Sequence, residues 1–169
     1  MTIKPFLTST QISDRVIELA KEIEEYYKDR ELTVIVVYNG AMFFAADLLR
    51  GIKANCEIVG MLASSYQGNT VSCGRVDFIN NLDVDNKHVL IVDDIYDTGH
   101  TLHALSNDLR ERGALTVEMC VLLNKEIEKK FNLDVLFIGF NIPDKFVYGY
   151  GLDIKNKFRN LTFIATNES

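Results

Sequence analysis

The architecture of this chain is best read from residues 89–102, Val-Leu-Ile-Val-Asp-Asp-Ile-Tyr-Asp-Thr-Gly-His-Thr-Leu. The four leading apolar residues form a run too short for an independent helix, and polar neighbours bound it, so they predict a strand buried on both faces. A loop rich in Asp, Thr and Gly follows. Residues 101–112 then have helical spacing, with Gly113 as the stop. This order of strand, polar loop and helix predicts a ligand site at the carboxyl edge of a parallel sheet.

The loop after this strand has the donors that a phosphate needs. Its residues are Thr98, Gly99, His100 and Thr101. Their backbone N–H groups lie at a helix N-terminus and can surround a dianion, while glycine allows close approach and the threonine hydroxyls add donors. Asp93 and Asp94 would repel a phosphate, but they suit sugar hydroxyls or a hydrated Mg²⁺. The loop therefore predicts a ligand with a phosphate beside a diol, such as a ribose 5-phosphate unit.

The rest of the chain predicts an α/β fold with a parallel central sheet. After an N-cap near Thr8, apolar residues from Ile12 to Tyr27 recur at helical spacing. Short apolar runs then alternate with polar loops and a further helical segment, as expected of parallel strands connected by helices. The predicted strands are 32–38, 56–63, 115–123 and 133–138, and the further helix is 41–52. Residues 126–130 are expected to be a solvated segment.

Three further segments contain polar or aromatic residues that suit a binding site. Asn39-Gly40 is a tight-turn signal after a strand and offers backbone N–H groups to an anion, with a plain connector as the alternative. Residues 64–74 form a polar loop, which we interpret as a lid with Ser65 and Tyr66 at its leading edge, or else as a surface hairpin. Residues 142–153 combine aromatic residues and glycines, and can form a platform for a planar heterocycle.

Composition narrows the class of protein. With 169 residues the chain is predicted to be a single domain, 1–169, and its 47% hydrophobic content is ordinary for a globular protein. A net charge of −6 argues against a general nucleic-acid surface. No apolar run approaches the ~20 residues of a membrane span, and the start lacks the apolar core of a signal peptide. Three cysteines without metal-ligand spacing argue against a disulfide framework. These features predict a cytoplasmic protein.

Residues 89–102 resemble the phosphoribosyl pyrophosphate (PRPP) motif of the type I phosphoribosyltransferases. From Thr33 to Thr162 the chain is similar to hypoxanthine and hypoxanthine-guanine phosphoribosyltransferases. Besides the PRPP motif, the similarity is carried by Ser65-Tyr66, by Lys125 after Leu122-Leu123, and by segments 137–140, 142–147, 149–150, 152–153 and 158–160. The resemblance implies a parallel sheet flanked by helices, with a small hood built from the C-terminal segment and part of the N-terminus.

The resemblance also implies a role for each matching residue. Asp97 is the expected general base or acid at a purine nitrogen. Asp93 and Asp94 match the acids at the ribose hydroxyls, and Thr98, Gly99, His100 and Thr101 match the 5-phosphate cradle. Asn39 and Gly40 match the pyrophosphate loop, and Arg159 matches a pyrophosphate contact. Lys125 matches the donor to the exocyclic oxygen of the purine, Phe146 the stacking aromatic, Val147 the backbone contact to the base, and Asp153 a residue near both purine and metal.

Further expectations follow from the family. Mg²⁺ is the expected cofactor, with Asp93, Asp94 and Asp153 as candidate ligands, and the family is commonly a homodimer or homotetramer. Two residues depart from the common pattern. Many relatives have Lys where this chain has Asn39, so a side-chain contact with pyrophosphate is not expected there. Asp93 stands where Glu is common and is one methylene shorter, which favours a water-mediated contact.

The predicted function is purine salvage, in which PRPP and hypoxanthine or guanine give the nucleoside monophosphate and pyrophosphate. One alternative is a PRPP-sensing regulator on the same scaffold that binds RNA without turnover. Another is a phosphoribosyltransferase for xanthine or a pyrimidine. The combination of Lys125, Phe146 and Asp153 favours a 6-oxopurine, while the choice between hypoxanthine and guanine is open at this point.

Overall fold

The computed structural model describes residues 3–62 and 82–167. It has three helices and seven strands within those ranges. The helices are α1 (Ser9–Tyr27), α2 (Met42–Gly51) and α3 (His100–Glu111), and the strands are β1 (Leu32–Tyr38), β2 (Cys56–Leu62), β3 (His88–Tyr96), β4 (Thr116–Lys125), β5 (Phe137–Ile142), β6 (Val147–Tyr148) and β7 (Ala165–Thr166).

The central element is a five-stranded sheet with the order β2-β1-β3-β4-β5. Every neighbouring pair of strands in it is parallel. The chain moves outward from β1 to β2 and then returns to β3 on the other side of β1, so the crevice at the carboxyl ends of β1 and β3 is where such sheets bind ligands. The predicted parallel α/β fold is confirmed.

The two faces of the sheet bury separate clusters of side chains, because successive strand residues point to opposite faces. On one face Val34, Val36 and Leu90 pack with α1 and α2. On the other face Ile35, Val89 and Ile91 pack with α3. Burial on both sides explains why β1 and β3 are almost continuous apolar runs, as the sequence indicated.

Helix α1 begins where the sequence predicted. The Thr8 hydroxyl accepts a hydrogen bond from the backbone N–H of Gln11, and the Gln11 side chain accepts one from the backbone N–H of Thr8. This capping box satisfies two of the backbone groups that a helix start leaves without partners. The buried face of α1 includes Ile12, Leu19 and Ile23, in agreement with the predicted spacing.

A small hood lies beside the sheet, as the resemblance implied. Strands β6 and β7 pair in antiparallel fashion, and Leu7 forms a bridge with Ile164 from the N-terminal side. The backbone N–H of Leu7 donates to the carbonyl of Ile164 over 3.0 Å. The Tyr150 hydroxyl donates to Asp47 on α2 over 2.6 Å and so connects the hood to the main body.

Two details of the predicted secondary structure are wrong. The last parallel strand is 137–142 and not 133–138, because Phe137 pairs with Cys120 of β4 while Leu133 lies in the preceding connection. No helix connects β4 to β5 in residues 126–136, all of which the structure describes. Side-chain and long-range contacts satisfy that backbone instead: Leu133 N–H donates to the Tyr96 hydroxyl, and Phe131 N–H donates to the Thr98 carbonyl.

Strand β3 is longer than the apolar run suggested. It continues through Asp93 and Asp94 to Tyr96, so the acidic pair belongs to the strand and not to the loop. Among the helices of the described ranges, none combines the length and the apolar character needed to cross a membrane.

Candidate active site

A cleft of about 410 Å³ opens at the carboxyl ends of β1 and β3. It contains every residue that was predicted to contact PRPP, together with Asp153. The predicted residues that line it are Asn39, Gly40, Asp93, Asp94, Asp97, Thr98, Gly99, His100, Thr101, Asp153 and Arg159. Asn39 and Asp94 meet there because parallel strands bring their carboxyl ends to one edge of the sheet, and the hood brings Arg159, 120 positions after Asn39, to the same edge.

The predicted phosphate cradle lies between β3 and α3. Gly99 caps α3 with a φ of 89°, a left-handed conformation that favours glycine. A Cβ atom at this position would also lie 2.8 Å from the Phe131 carbonyl oxygen. Thr98 and His100 on either side are exposed and face solvent. The cradle therefore depends on a residue without a side chain, and the N-terminus of α3 is open to an anion.

The surroundings of Asp93 and Asp94, at the end of β3, oppose a negative charge on both carboxylates. Asp93 is only 7% exposed, and its Oδ1 accepts a hydrogen bond from the backbone N–H of Asp94 over 2.9 Å. Burial raises the pKa of Asp93 well above its ordinary value, and the neighbouring charge of Asp94 raises it further. Burial also raises the pKa of Asp94, while hydrogen bonds and the charge of Arg159 oppose that shift. A nearby cation or hydroxyl donors would stabilise the charged form of such a pair.

The turn after β1 packs directly against this pair. A Cβ atom on Gly40 would overlap the carboxylate of Asp94, so any larger residue there would force the turn or the Asp94 side chain to move. Gly151 in the hood makes a similar approach, since a Cβ atom on it would meet the Gly40 carbonyl oxygen. Asn39 lines the cleft beside Gly40. The hood, the turn and the end of β3 thus enclose one space.

The predicted pyrophosphate arginine is held in place by the hood. Arg159 forms an ion pair with Asp153 over 2.8 Å and donates to the Gly151 carbonyl over 2.6 Å. The other carboxylate oxygen of Asp153 accepts a hydrogen bond from the Asn156 N–H over 2.6 Å. These contacts orient the guanidinium at the cleft, and the planar group suits an anionic phosphate.

Among the residues predicted to contact the base, Asp153 lines this cleft, whereas Lys125, Phe146 and Val147 do not. Lys125 links the cleft to the segment that contains Phe146 and Val147. Its ammonium is 3.4 Å from Asp97, which lines the cleft, and 3.2 Å from Asp144. Phe146, two residues after Asp144, leaves 49% of its surface exposed and so offers a free ring face, whereas Val147 is buried in β6. The residues predicted to bind phosphate and sugar thus form one end of the site, and the aromatic and cationic residues predicted to bind the base form the other.

The carboxylates at the cleft fit Mg²⁺ as some of its ligands and not as a complete metal site. Among the described residues, no group of three or more histidine, cysteine or acidic side chains converges as a preformed metal site. The predicted set of Asp93, Asp94 and Asp153 is therefore not a ready-made cage, since Asp153 is paired with Arg159. Mg²⁺ commonly uses one or two carboxylates together with substrate phosphates and waters, and the Asp93–Asp94 pair can supply such carboxylates.

Sequence reasoning missed two residues near the base end. Asp144 contacts Lys125, and its position within the quoted segment 142–147 was the available signal. Lys129 was expected to be solvated, which is wrong, because its ammonium donates to two backbone carbonyls. No local pattern could have revealed the second contact. Ser65 and Tyr66, the predicted lid residues, lie outside the described ranges.

The fold and cleft define a class of protein: a parallel α/β protein with a polar cleft at the switch point of its sheet. Comparison with known families narrows that class. The model of the phosphoribosyl transferase domain family matches residues 4–155. The chain belongs to the phosphoribosyltransferase family.

Individual relatives agree along almost the whole chain. The hypoxanthine phosphoribosyltransferase of Buchnera aphidicola is 40% identical over 168 residues, which cover 97% of this chain and 95% of the relative. The hypoxanthine-guanine-xanthine phosphoribosyltransferase of Tritrichomonas foetus is 38% identical, with 91% and 85% covered. A crystal structure of a hypoxanthine-guanine phosphoribosyltransferase from Bacillus anthracis superimposes with a TM-score of 0.88 at 38% identity, and covers 98% of this chain and 99% of that chain. The predicted family is confirmed.

Proposed function

We propose that this enzyme transfers the phosphoribosyl group of PRPP to a 6-oxopurine, hypoxanthine or guanine, and releases pyrophosphate. The observation that carries the proposal is the cleft, which gathers the whole predicted PRPP set around one sheet edge. The names of the relatives support the choice of base. In this reaction the C1–O bond to pyrophosphate breaks, and a purine nitrogen forms the new bond to C1.

In this proposal one end of the site binds PRPP and its metal ion. The backbone N–H groups of residues 98–101 bind the 5-phosphate, and Arg159 with the turn at Asn39 and Gly40 binds the departing pyrophosphate. Pyrophosphate leaves with the electron pair of the C1–O bond. When Mg²⁺ is bound with PRPP, it offsets charge on that group. Asp93 and Asp94 face the sugar hydroxyls and supply carboxylates for the metal or its waters.

The base is recognised at the other end. The ammonium of Lys125 donates to the exocyclic oxygen of the purine, and the exposed ring of Phe146 stacks on its face. The backbone of Val147 reads the edge of the base, with Asp153 nearby. Asp97 lies between the two ends, 3.4 Å from Lys125, and it takes up or returns the proton of the purine ring.

Xanthine is the second candidate substrate. The relative from Tritrichomonas foetus includes xanthine in its name, at 38% identity. The regulatory alternative, RNA binding without turnover, is less favoured because a net charge of −6 opposes a polyanion.

The direct test is an assay of pyrophosphate release with PRPP, Mg²⁺ and one base at a time. Hypoxanthine and guanine are expected to support turnover, adenine and uracil are not, and removal of the metal with a chelator is expected to abolish activity. Turnover with a pyrimidine alone, or PRPP binding without release from any base, would overturn the proposal. Xanthine in the same series decides the second candidate.

We also propose a homo-oligomer, dimer or tetramer, in the cytoplasm. The assembly is the common state of the family, and light scattering on the purified protein tests it. A cytoplasmic location suits the two cysteines of the described ranges, Cys56 and Cys120, because both are free thiols. Cys120 is fully buried and Cys56 is half-buried. Cell fractionation that found the protein outside the cytoplasm would contradict the location.

A further inference from the structure

Lys129, in the connection between β4 and β5, does not extend into solvent as a surface lysine would. Its ammonium donates to the Tyr96 carbonyl over 2.8 Å and to the Lys125 carbonyl over 2.5 Å. It also lies 4.0 Å from the centre of the Tyr96 ring, within the range of a cation–π contact. The side chain is thus held by three contacts on two neighbouring strands.

The two carbonyls lie where the pairing between β3 and β4 ends. Tyr96 pairs with Asn124 in the last register position of β3 and β4, so the ladder between these strands ends there. Lys125 is the next residue along β4, and Asp97 is the next residue after β3. The ammonium of Lys129 therefore joins the ends of β3 and β4 at the last paired position of these two strands.

The residues held in this way are the two that meet the base in the proposed function. Lys125 accepts the contact through its own carbonyl, and Asp97 directly follows the other acceptor, Tyr96. Their side chains are 3.4 Å apart. Because one planar base must reach both groups, the distance between the strand ends sets whether the two contacts can form together.

The electrostatics agree with a fixed cation at this place. Burial lowers the pKa of Lys129, the charge of Lys125 lowers it further, and the charge of Asp97 opposes the change. A second positive charge behind Lys125 is tolerated because two carbonyl dipoles and the face of an aromatic ring surround it.

We propose that Lys129 is a positioning residue for the base: its ammonium clamps the ends of β3 and β4 and so holds Asp97 and Lys125 at the separation that one 6-oxopurine requires. The inference rests on the proposed function, because it takes the base site to lie between these two residues. It predicts an effect on the base that is separate from any effect on PRPP, whose cradle at residues 98–101 is on the other side of Asp97.

The test compares Lys129→Met, Lys129→Arg and the neighbouring control Lys130→Met. Methionine keeps the length of the side chain but removes its donors, whereas arginine keeps the charge and can donate to both carbonyls. Since a misplacement of about 1 Å at a reacting group can cost about 10²-fold, kcat/KM for hypoxanthine should fall about 10- to 100-fold in Lys129→Met. The KM for PRPP should stay within about twofold, Lys129→Arg should recover most of the activity, and the control should resemble the parent enzyme.

Thermal unfolding of each variant separates positioning from general destabilisation. A merely structural role would raise the KM values for base and PRPP together and would lower Tm, with no preference for the base. That result, or an unchanged kcat/KM for hypoxanthine, overturns the inference. Failure of the proposed function itself would look different, because the parent enzyme would then release no pyrophosphate with any 6-oxopurine.

Discussion

Asp97 illustrates how a single residue gains a role from its surroundings. Its side chain is 46% exposed and lies 3.4 Å from the ammonium of Lys125. Asp93 and Asp94 lie four and three residues earlier in the chain, yet Asp93 is buried within β3 and both have raised pKa values. Three carboxylates in five residues are therefore chemically distinct, because only Asp97 follows the strand end and pairs with Lys125.

The first prediction concerns Asp97→Asn, which removes the proton acceptor and keeps the shape. Since general acid–base catalysis contributes about 10²- to 10⁴-fold, kcat should fall by about that factor. Binding of PRPP should persist, because the cradle at residues 98–101 is intact, and calorimetry with PRPP and Mg²⁺ measures it. Asp144→Asn is the matched control, since Asp144 also contacts Lys125. Equal kcat values for Asp97→Asn and the parent enzyme would contradict the assignment.

The second prediction concerns Asp93→Asn and stability. A buried aspartate with a raised pKa favours the protonated form in the folded state. The parent protein therefore loses stability as the pH rises from the unfolded pKa, about 3.9, through the raised folded pKa. Asparagine does not titrate, so the variant should be more stable than the parent at pH 7, and the difference should vanish near pH 3.

Denaturant unfolding at several pH values, without Mg²⁺ or PRPP, measures this difference. Each unit by which the pKa is raised corresponds to about 1.4 kcal/mol. Asp134→Asn, at an exposed position in the β4–β5 connection, controls for the loss of one negative charge. The side-chain oxygen of asparagine can still accept the hydrogen bond from the Asp94 N–H, so a variant that is less stable than the parent at pH 7 would contradict the prediction.

At the scale of elements, helix α1 is defined by its first turn. The capping box joins Thr8 and Gln11, and the apolar face that follows is buried against the sheet. The hydroxyl of Thr8 is exposed to solvent on its outer side, so its contribution is mainly the bond to the Gln11 N–H, at 3.2 Å. The start of this helix is therefore local in origin.

The third prediction follows from this cap. Thr8→Ala should cost about 1 kcal/mol, as N-cap substitutions do, because a backbone donor loses its partner. For a chain of this size that corresponds to a Tm lower by about 2–4 °C. Thr10→Ala, two residues into the same helix and exposed, is the control and should change Tm little. Activity at 25 °C should be unchanged in both variants. An equal Tm for Thr8→Ala and the control would contradict the role of the cap.

At the scale of the whole molecule, the hood is attached by a few specific contacts. Tyr150 is 8% exposed and donates its hydroxyl to Asp47 on α2 over 2.6 Å. Burial and the charge of Asp47 raise the pKa of Tyr150, so the hydroxyl remains a donor at neutral pH. This bond joins the C-terminal hood to the body on which the turn at Asn39 and Gly40 is built.

The fourth prediction is that Tyr150→Phe loosens this attachment. A hydrogen bond to a charged group contributes about 1.5–3 kcal/mol, but Asp47 is half-exposed and water can replace its partner, so the expected loss of stability is about 1 kcal/mol. Tyr26→Phe is the control, because the Tyr26 hydroxyl is exposed and 3.4 Å from Glu118. Denaturant unfolding compares the two variants. Equal losses would show that the bond to Asp47 contributes nothing particular.

The sequence by itself determined the strand of residues 89–92, the loop and helix start at residues 98–101 and the family. These features are local, since apolar runs, glycines and helix caps act within a few residues of one another. It also named the side chains that we propose bind PRPP, because carboxylates, a guanidinium and a glycine-containing loop can be recognised from residue type and spacing.

Only the tertiary structure decided how these groups meet. The position of β5 depends on the register between Phe137 and Cys120, which lie 17 residues apart. Likewise Lys129 reads as a solvated residue until β3 and β4 bring the carbonyls of Tyr96 and Lys125 to its ammonium. Such contacts are set by strand pairing and packing over long separations, and a local pattern contains no information about them.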